Sequence, residues 1–205
     1  SHKSAPYLDA TGKPIDLALV AGKDTFPKLD ANVSFAKKPS VDAVNANIKK
    51  PAFLNDITNY HNRGDVQDWN DKFWAQNGDF FGLDDIKTTN QEVIDGFAEV
   101  YSYWVNEYGV DGFRVDTAKH VDDAFLGKWW PKVLAATNVK KPNLFAFSEV
   151  FDSSQDVLSA FMRNRGLPSV LDFGFQADAI QYAGGDGDAG NLNYVLRQDD
   201  KYTTS

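Results

Sequence analysis

In Tyr108-Gly109-Val110-Asp111-Gly112-Phe113-Arg114-Val115-Asp116-Thr117-Ala118-Lys119-His120, a short apolar run follows a glycine and stops on a charge. Such a run is too short for a buried helix, so Val110 to Val115 reads as a strand. Side chains alternate between the faces of a strand, which puts Arg114 and Asp116 on one side and Phe113 and Val115 on the other. The polar pair points one way together.

Working upstream, Val93, Phe97, Val100, Tyr101, Trp104 and Tyr108 recur at helical spacing. They predict a helix from about Gln91 to Glu107, opened by a capping box between Thr89 and Glu92. Downstream, Phe125, Trp129, Val133 and Leu134 mark a second helix. Leu144 to Ser148 then reads as a strand, Ser154 to Arg165 as a helix, Ser169 to Phe173 as a third strand and Phe175 to Tyr182 as a further helix. The glycine-rich stretch Gly184 to Gly190 breaks the chain before a last helical segment, Asn191 to Arg197. Strand and helix alternate for three rounds, the pattern of a parallel α/β fold.

The first 82 residues differ in character. Pro6, Pro14, Pro27, Pro39 and Pro51, with Gly12, Gly22, Gly64 and Gly78, punctuate a segment without sustained periodicity. It reads as a loop-rich insertion with short strands around Asp16 to Val20 and Ala52 to Thr58.

Composition bounds the function. At 205 residues and 42% hydrophobic, the chain can bury a sizeable core. A net charge of −8 repels phosphate backbones, so nucleic acid is not an expected partner. No stretch approaches the ~20 apolar residues of a membrane span, and no membrane partner is expected. Ser1 to Lys13 lacks the apolar block of a signal peptide, so any export signal would already be removed. The absence of cysteine fits a reducing cytoplasm and many bacterial secreted proteins alike, and the expectation adopted is a secreted or periplasmic location. Aromatic residues make up 14% of the chain, and Tyr60, Trp69 and Trp74 sit among polar neighbours. Rings in such places either bind sugars or pack the bases of loops.

The chemistry lies at the strand ends. In a parallel barrel Asp116 would sit at the carboxyl end of its strand, where such folds place active sites. A guanidinium two positions back would hold it ionised. One strand later, Phe145, Phe147 and Glu149 share a face, and Glu149 ends that strand in the same way. Neighbouring strands lie ~4.8 Å apart, and a retaining glycosidase needs its carboxyl groups ~5 to 5.5 Å apart. Taken singly, an acid at a strand end is more often a solvated charge or a helix cap.

At these residues the sequence resembles the α-amylase family, also called glycoside hydrolase family thirteen. Gly112-Phe113-Arg114-Val115-Asp116-Thr117-Ala118-Lys119-His120 is similar to its strand-four signature, and Phe147-Ser148-Glu149-Val150-Phe151 to its strand-five signature. Gly82-Leu83-Asp84-Asp85-Ile86 resembles the short motif near the end of the family's inserted domain B. The resemblance implies part of a TIM (β/α)8 barrel, with residues 1–82 as a domain B-like insertion after strand three and 83–205 running from helix three to about helix six. It implies a retaining hydrolase of α-1,4-glucosidic bonds in starch-like glucans or maltooligosaccharides. Asp116 would be the nucleophile, Glu149 the general acid and base, and Arg114 the arginine that bonds the nucleophile. Lys119 and His120 would line the leaving-group side. Asp85 and the His120 carbonyl would hold a structural calcium ion, which takes hard oxygen ligands.

Two parts of the family pattern are missing. Ser1-His2-Lys3-Ser4 shows no Asn-His, and nothing after Phe173 resembles the family's His-Asp pair. A full barrel takes ~250 residues, so these residues are expected to be a section of a longer polypeptide that folds poorly alone. Transglycosylase, cyclomaltodextrinase and pullulanase-type activities use the same motifs and stay open. So does a non-catalytic glucan-binding role.

Overall fold

The structure is a computed structural model that describes residues 47–56, 59–61 and 65–203. The chain divides into two compact units, Ser1–Gly96 and Phe97–Ser205. The predicted strand at Asp16 to Val20 lies outside the described residues. No helix among those described is long and apolar enough to cross a membrane.

In the first unit, Ala52–Asn55 forms a short 3-10 helix, not the expected strand. Asn55 explains the difference, because its side-chain amide donates to the Lys49 and Ala52 carbonyls and curls the segment. Helix α1 spans Lys72–Asn77 and is capped by Asp71, whose carboxylate accepts from the Phe73 N–H. Trp74 on α1 is buried. Trp69 instead stays partly exposed and meets Phe80 and Phe81 at ring-centroid distances of 5.0 and 5.4 Å. The buried Asn59 ties this unit together. Its amide donates to the Phe53 carbonyl and to Glu92 Oε2, and its oxygen accepts from Asn90.

Helix α2, Gln91–Tyr108, appears where the apolar spacing places it. Its cap differs from the expected one. Asn90, not Thr89, accepts the Glu92 N–H at 3.1 Å, and Glu92 is turned toward Asn59 and so does not close a box with Thr89.

The second unit holds β1, Gly112–Val115, and β2, Phe145–Ser148, which pair in parallel as neighbours. Only glycine fits at the start of β1, since a Cβ at Gly112 would lie 2.7 Å from the Phe145 carbonyl oxygen. Four further helices follow the strands: α3 at Asp123–Thr137, α4 at Gln155–Arg165, α5 at Phe173–Gly184 and α6 at Ala189–Leu196. The expected third strand contracts to one parallel bridge, Ser148 to Val170. Asp172 causes this by accepting the Phe175 N–H and starting α5 at Phe173, inside the predicted strand.

The core is a relay of rings. Phe113 on β1 meets Tyr101 on α2 at 5.0 Å, Tyr101 meets Trp129 on α3 at 5.1 Å, and Trp129 stacks on Phe125 at 6.0 Å. Such contacts contribute about 0.5–1.5 kcal/mol each beyond the area they bury. With Phe113 packed among the helices, the alternation of the strand turns Arg114 to the opposite face.

Candidate active site

The register of β1 against β2 pairs Arg114 with Phe147 and Val115 with Ser148. Asp116 and Glu149 are the next residue on each strand. Two backbone bonds keep them level: the Glu149 N–H donates to the Val115 carbonyl at 2.8 Å, and the Ala118 N–H donates to the Glu149 carbonyl at 3.0 Å. The second bond requires a sharp turn directly after Asp116. Thr117 makes that turn in the left-handed region, at φ 48° and ψ 41°. A non-glycine residue there costs on the order of 1–2 kcal/mol, a strain characteristic of functional sites.

Arg114 bridges the two acids. Its Nη2 donates to Glu149 Oε2 at 2.9 Å, and its Nη1 lies 3.3 Å from Asp116 Oδ1. The planar guanidinium fork suits such a double contact. The neighbouring Glu149 carboxyl is the largest influence on Asp116 and lowers its pKa below the ordinary aspartate value. Burial opposes the shift, while Arg114 and the Thr117 N–H reinforce it. Asp116 has 62% of its side chain exposed and Glu149 25%, so a ligand can reach the first while the second is more sheltered.

Lys119 and His120 sit in the short 3-10 helix Ala118–His120, immediately beyond Asp116. Lys119 points back across the strand tips and meets Asp152, a residue that the sequence reading missed. Asp152 stands before Ser153 and Ser154 at a helix start, where an acid reads as an ordinary cap. Phe151, two residues past Glu149, is 76% exposed and touches Phe173.

Asp85 lies in the first unit. Its carboxylate pairs with the buried His61 at 2.5 Å, and its carbonyl accepts the His61 N–H at 2.9 Å. His61 was also missed, because nothing in its neighbourhood marks a lone histidine as a partner. Asp85 has the hard-oxygen chemistry that calcium takes, but no cluster of three His, Cys, Asp or Glu side chains exists among the described residues.

Comparisons with known proteins show what the chain is similar to. An alpha-amylase of Streptomyces lividans is 41% identical over 206 residues, an alignment that covers 100% of this chain and 22% of that protein. A cyclomaltodextrin glucanotransferase of Klebsiella oxytoca is 30% identical over 124 residues, covering 57% of this chain and 19% of the relative. The crystal structure of an alpha-amylase from Geobacillus thermoleovorans complexed with acarbose superposes with a TM-score of 0.56 at 26% identity, over 63% of this chain and 28% of that one. The chain thus spans about a fifth of the length of these two curated relatives. Its strands and helices are a segment of a (β/α)8 barrel. With the pattern of the alpha amylase catalytic domain matched over residues 34–204, the chain belongs to the α-amylase family.

Proposed function

We propose that the polypeptide containing this chain is a retaining hydrolase of α-1,4-glucosidic bonds in starch-like glucans and maltooligosaccharides. The observation that carries this reading is the placement of Asp116 and Glu149 on adjacent strand tips, both held by the fork of Arg114. An inverting enzyme keeps its carboxyl groups ~6.5–9.5 Å apart to admit a water between them, whereas a retaining enzyme brings them close. One guanidinium fork that reaches both carboxyls supports the close arrangement.

In this mechanism the charged Asp116 attacks the anomeric carbon while Glu149 gives its proton to the departing glycosidic oxygen. The C–O bond to the leaving sugar breaks as the bond to the Asp116 oxygen forms. Glu149, now charged, takes a proton from water, whose oxygen displaces Asp116 and frees the sugar with its original configuration. Arg114 offsets the charge that shifts between the acids in the two half-reactions. Maltoheptaose digested by the complete protein is expected to release reducing ends first as the α-anomer, followed by NMR before mutarotation. Initial release of the β-anomer would refute the double displacement.

A transfer reading uses the same intermediate with a sugar hydroxyl in place of water. The exposed Phe151 ring favours it, since an aromatic face near Glu149 both attracts a pyranose and displaces water. Products longer than the starting maltoheptaose would mark transfer. The location we propose is secreted or periplasmic, because polymeric starch cannot cross a membrane to reach an enzyme inside.

We also propose a structural calcium ion, with support from the family alone. Asp85 would contribute a carboxylate oxygen, with further ligands supplied from elsewhere. Such an ion would stabilise the fold and take no part in the chemistry. A chelator should then lower the Tm of the complete protein and excess calcium should restore it, measured by calorimetry. An unchanged Tm would remove calcium from the description.

A further inference from the structure

The two loops that carry the acids are fastened a second time, three residues beyond each of them. Asp116 is followed at Lys119, and Glu149 at Asp152, by groups of opposite charge whose Nζ and Oδ2 atoms lie 3.0 Å apart. Lys119 Nζ also donates to the Phe151 carbonyl at 3.3 Å. We infer that Asp152 is a positioning residue, which clamps Lys119 across the strand tips and thereby fixes the approach of Glu149 to Asp116. The inference rests on the retaining-hydrolase reading above.

Three observations support it. Asp152 is itself anchored, since its Oδ1 accepts the Ser154 N–H at 3.0 Å in the turn that leads into α4. The ammonium is therefore held by a fixed acceptor, not by a second mobile side chain. Next, the pair is only partly exposed, with 36% of the Lys119 side chain and 26% of the Asp152 side chain reaching solvent. Burial acts first on Asp152 and raises its pKa, yet the Ser154 N–H and the Lys119 charge together turn the net shift downward. The charged form is the one the site prefers.

Finally, the backbone alone leaves a gap that this pair closes. The bonds from Ala118 to Glu149 and from Glu149 to Val115 fix the chain directly at the acids. Beyond them, Phe151 and Asp152 form no part of the sheet. There, Lys119 ties the loop after Asp116 to the loop after Glu149 through the Phe151 carbonyl and the Asp152 carboxylate. A displacement of ~1 Å between reacting groups can cost about 10²-fold in rate.

The test uses the complete protein with maltoheptaose as substrate. Asp152→Asn is expected to lower kcat by about 10- to 100-fold with little change in KM, the mark of an interaction made mainly in the transition state. Asp152→Glu should recover most of the loss. Lys119→Met should lose as much as Asp152→Asn, and the double variant should be no worse than either single one. Wild-type kcat in Asp152→Asn, or losses that multiply in the double variant, would overturn the clamp. If Asp152→Asn fails to fold, Lys119→Met decides through its two constants: a fall in kcat with KM unchanged upholds the clamp, and a rise in KM with kcat unchanged, the mark of direct substrate contact, overturns it. Asp116→Asn serves as a control: its inactivity upholds the hydrolase reading even where the clamp fails, and its activity defeats both.

Discussion

Asp116→Asn in the complete protein is expected to abolish hydrolysis of maltooligosaccharides, with kcat falling by at least about 10⁴-fold, or roughly 5 kcal/mol of barrier. The amide keeps the shape of the side chain but has no charge with which to attack a sugar carbon. Folding should be little affected, because Asp116 is largely exposed and lies off the ring relay that makes the core. The pH profile of the unaltered enzyme bears on the same assignment. The Glu149 carboxyl comes first among the causes that depress the Asp116 pKa, so the nucleophile stays charged as pH falls into the ordinary aspartate range. The acid limb of kcat/KM should accordingly lie below that range. Turnover by the Asn variant near the wild-type rate would end the assignment.

Glu149→Gln produces a different signature, because the residue acts twice. On maltooligosaccharides, whose leaving alkoxide needs a proton, kcat should drop by about 10²- to 10⁴-fold. On a maltosyl fluoride, whose leaving group needs none, the first step should proceed and the second should stall for want of a base. The sugar then remains on the protein, and intact mass spectrometry should find one glycosyl unit attached at Asp116. Azide, a nucleophile that needs no base, should restore turnover as the glycosyl azide. If the variant loses both substrates equally and carries no sugar, Glu149 is not the acid and base. The amide introduced by Glu149→Gln retains an oxygen that accepts from Arg114, so a loss of this form is not a consequence of disturbed pairing.

Much of the second unit was legible before any coordinates. Helices α2, α3 and α4 and strands β1 and β2 follow the periods of their apolar residues, because each presents one face to a shared core. The alternation along β1 already separated Phe113 from Arg114 and Asp116. What failed failed locally. The Ala52–Asn55 segment, the start of α5 and the cap of α2 were each set by one side-chain amide or carboxylate bonding to backbone nearby. Such choices between adjacent donors leave no trace in a hydrophobic pattern.

The site divides in the same way. Asp116, Glu149 and Arg114 could be found because one strand end carries a charge pattern and the next repeats it. Asp152 and His61 could not, since each matters through a partner distant in the chain: Lys119 is 33 residues away and Asp85 is 24 away. Position along the chain does not announce such meetings.

The pairing of Val115 with Ser148 has a wider consequence for how this segment can change. Both acids owe their direction to a count of residues, since each extra or missing position in a strand sends the following side chain through the sheet. Loops beyond the tips and rings beneath them have freedom to vary in size. Between Gly112 and Asp116, or between Phe145 and Glu149, a single deletion would point an acid into the greasy side of the sheet and extinguish the pair at a stroke.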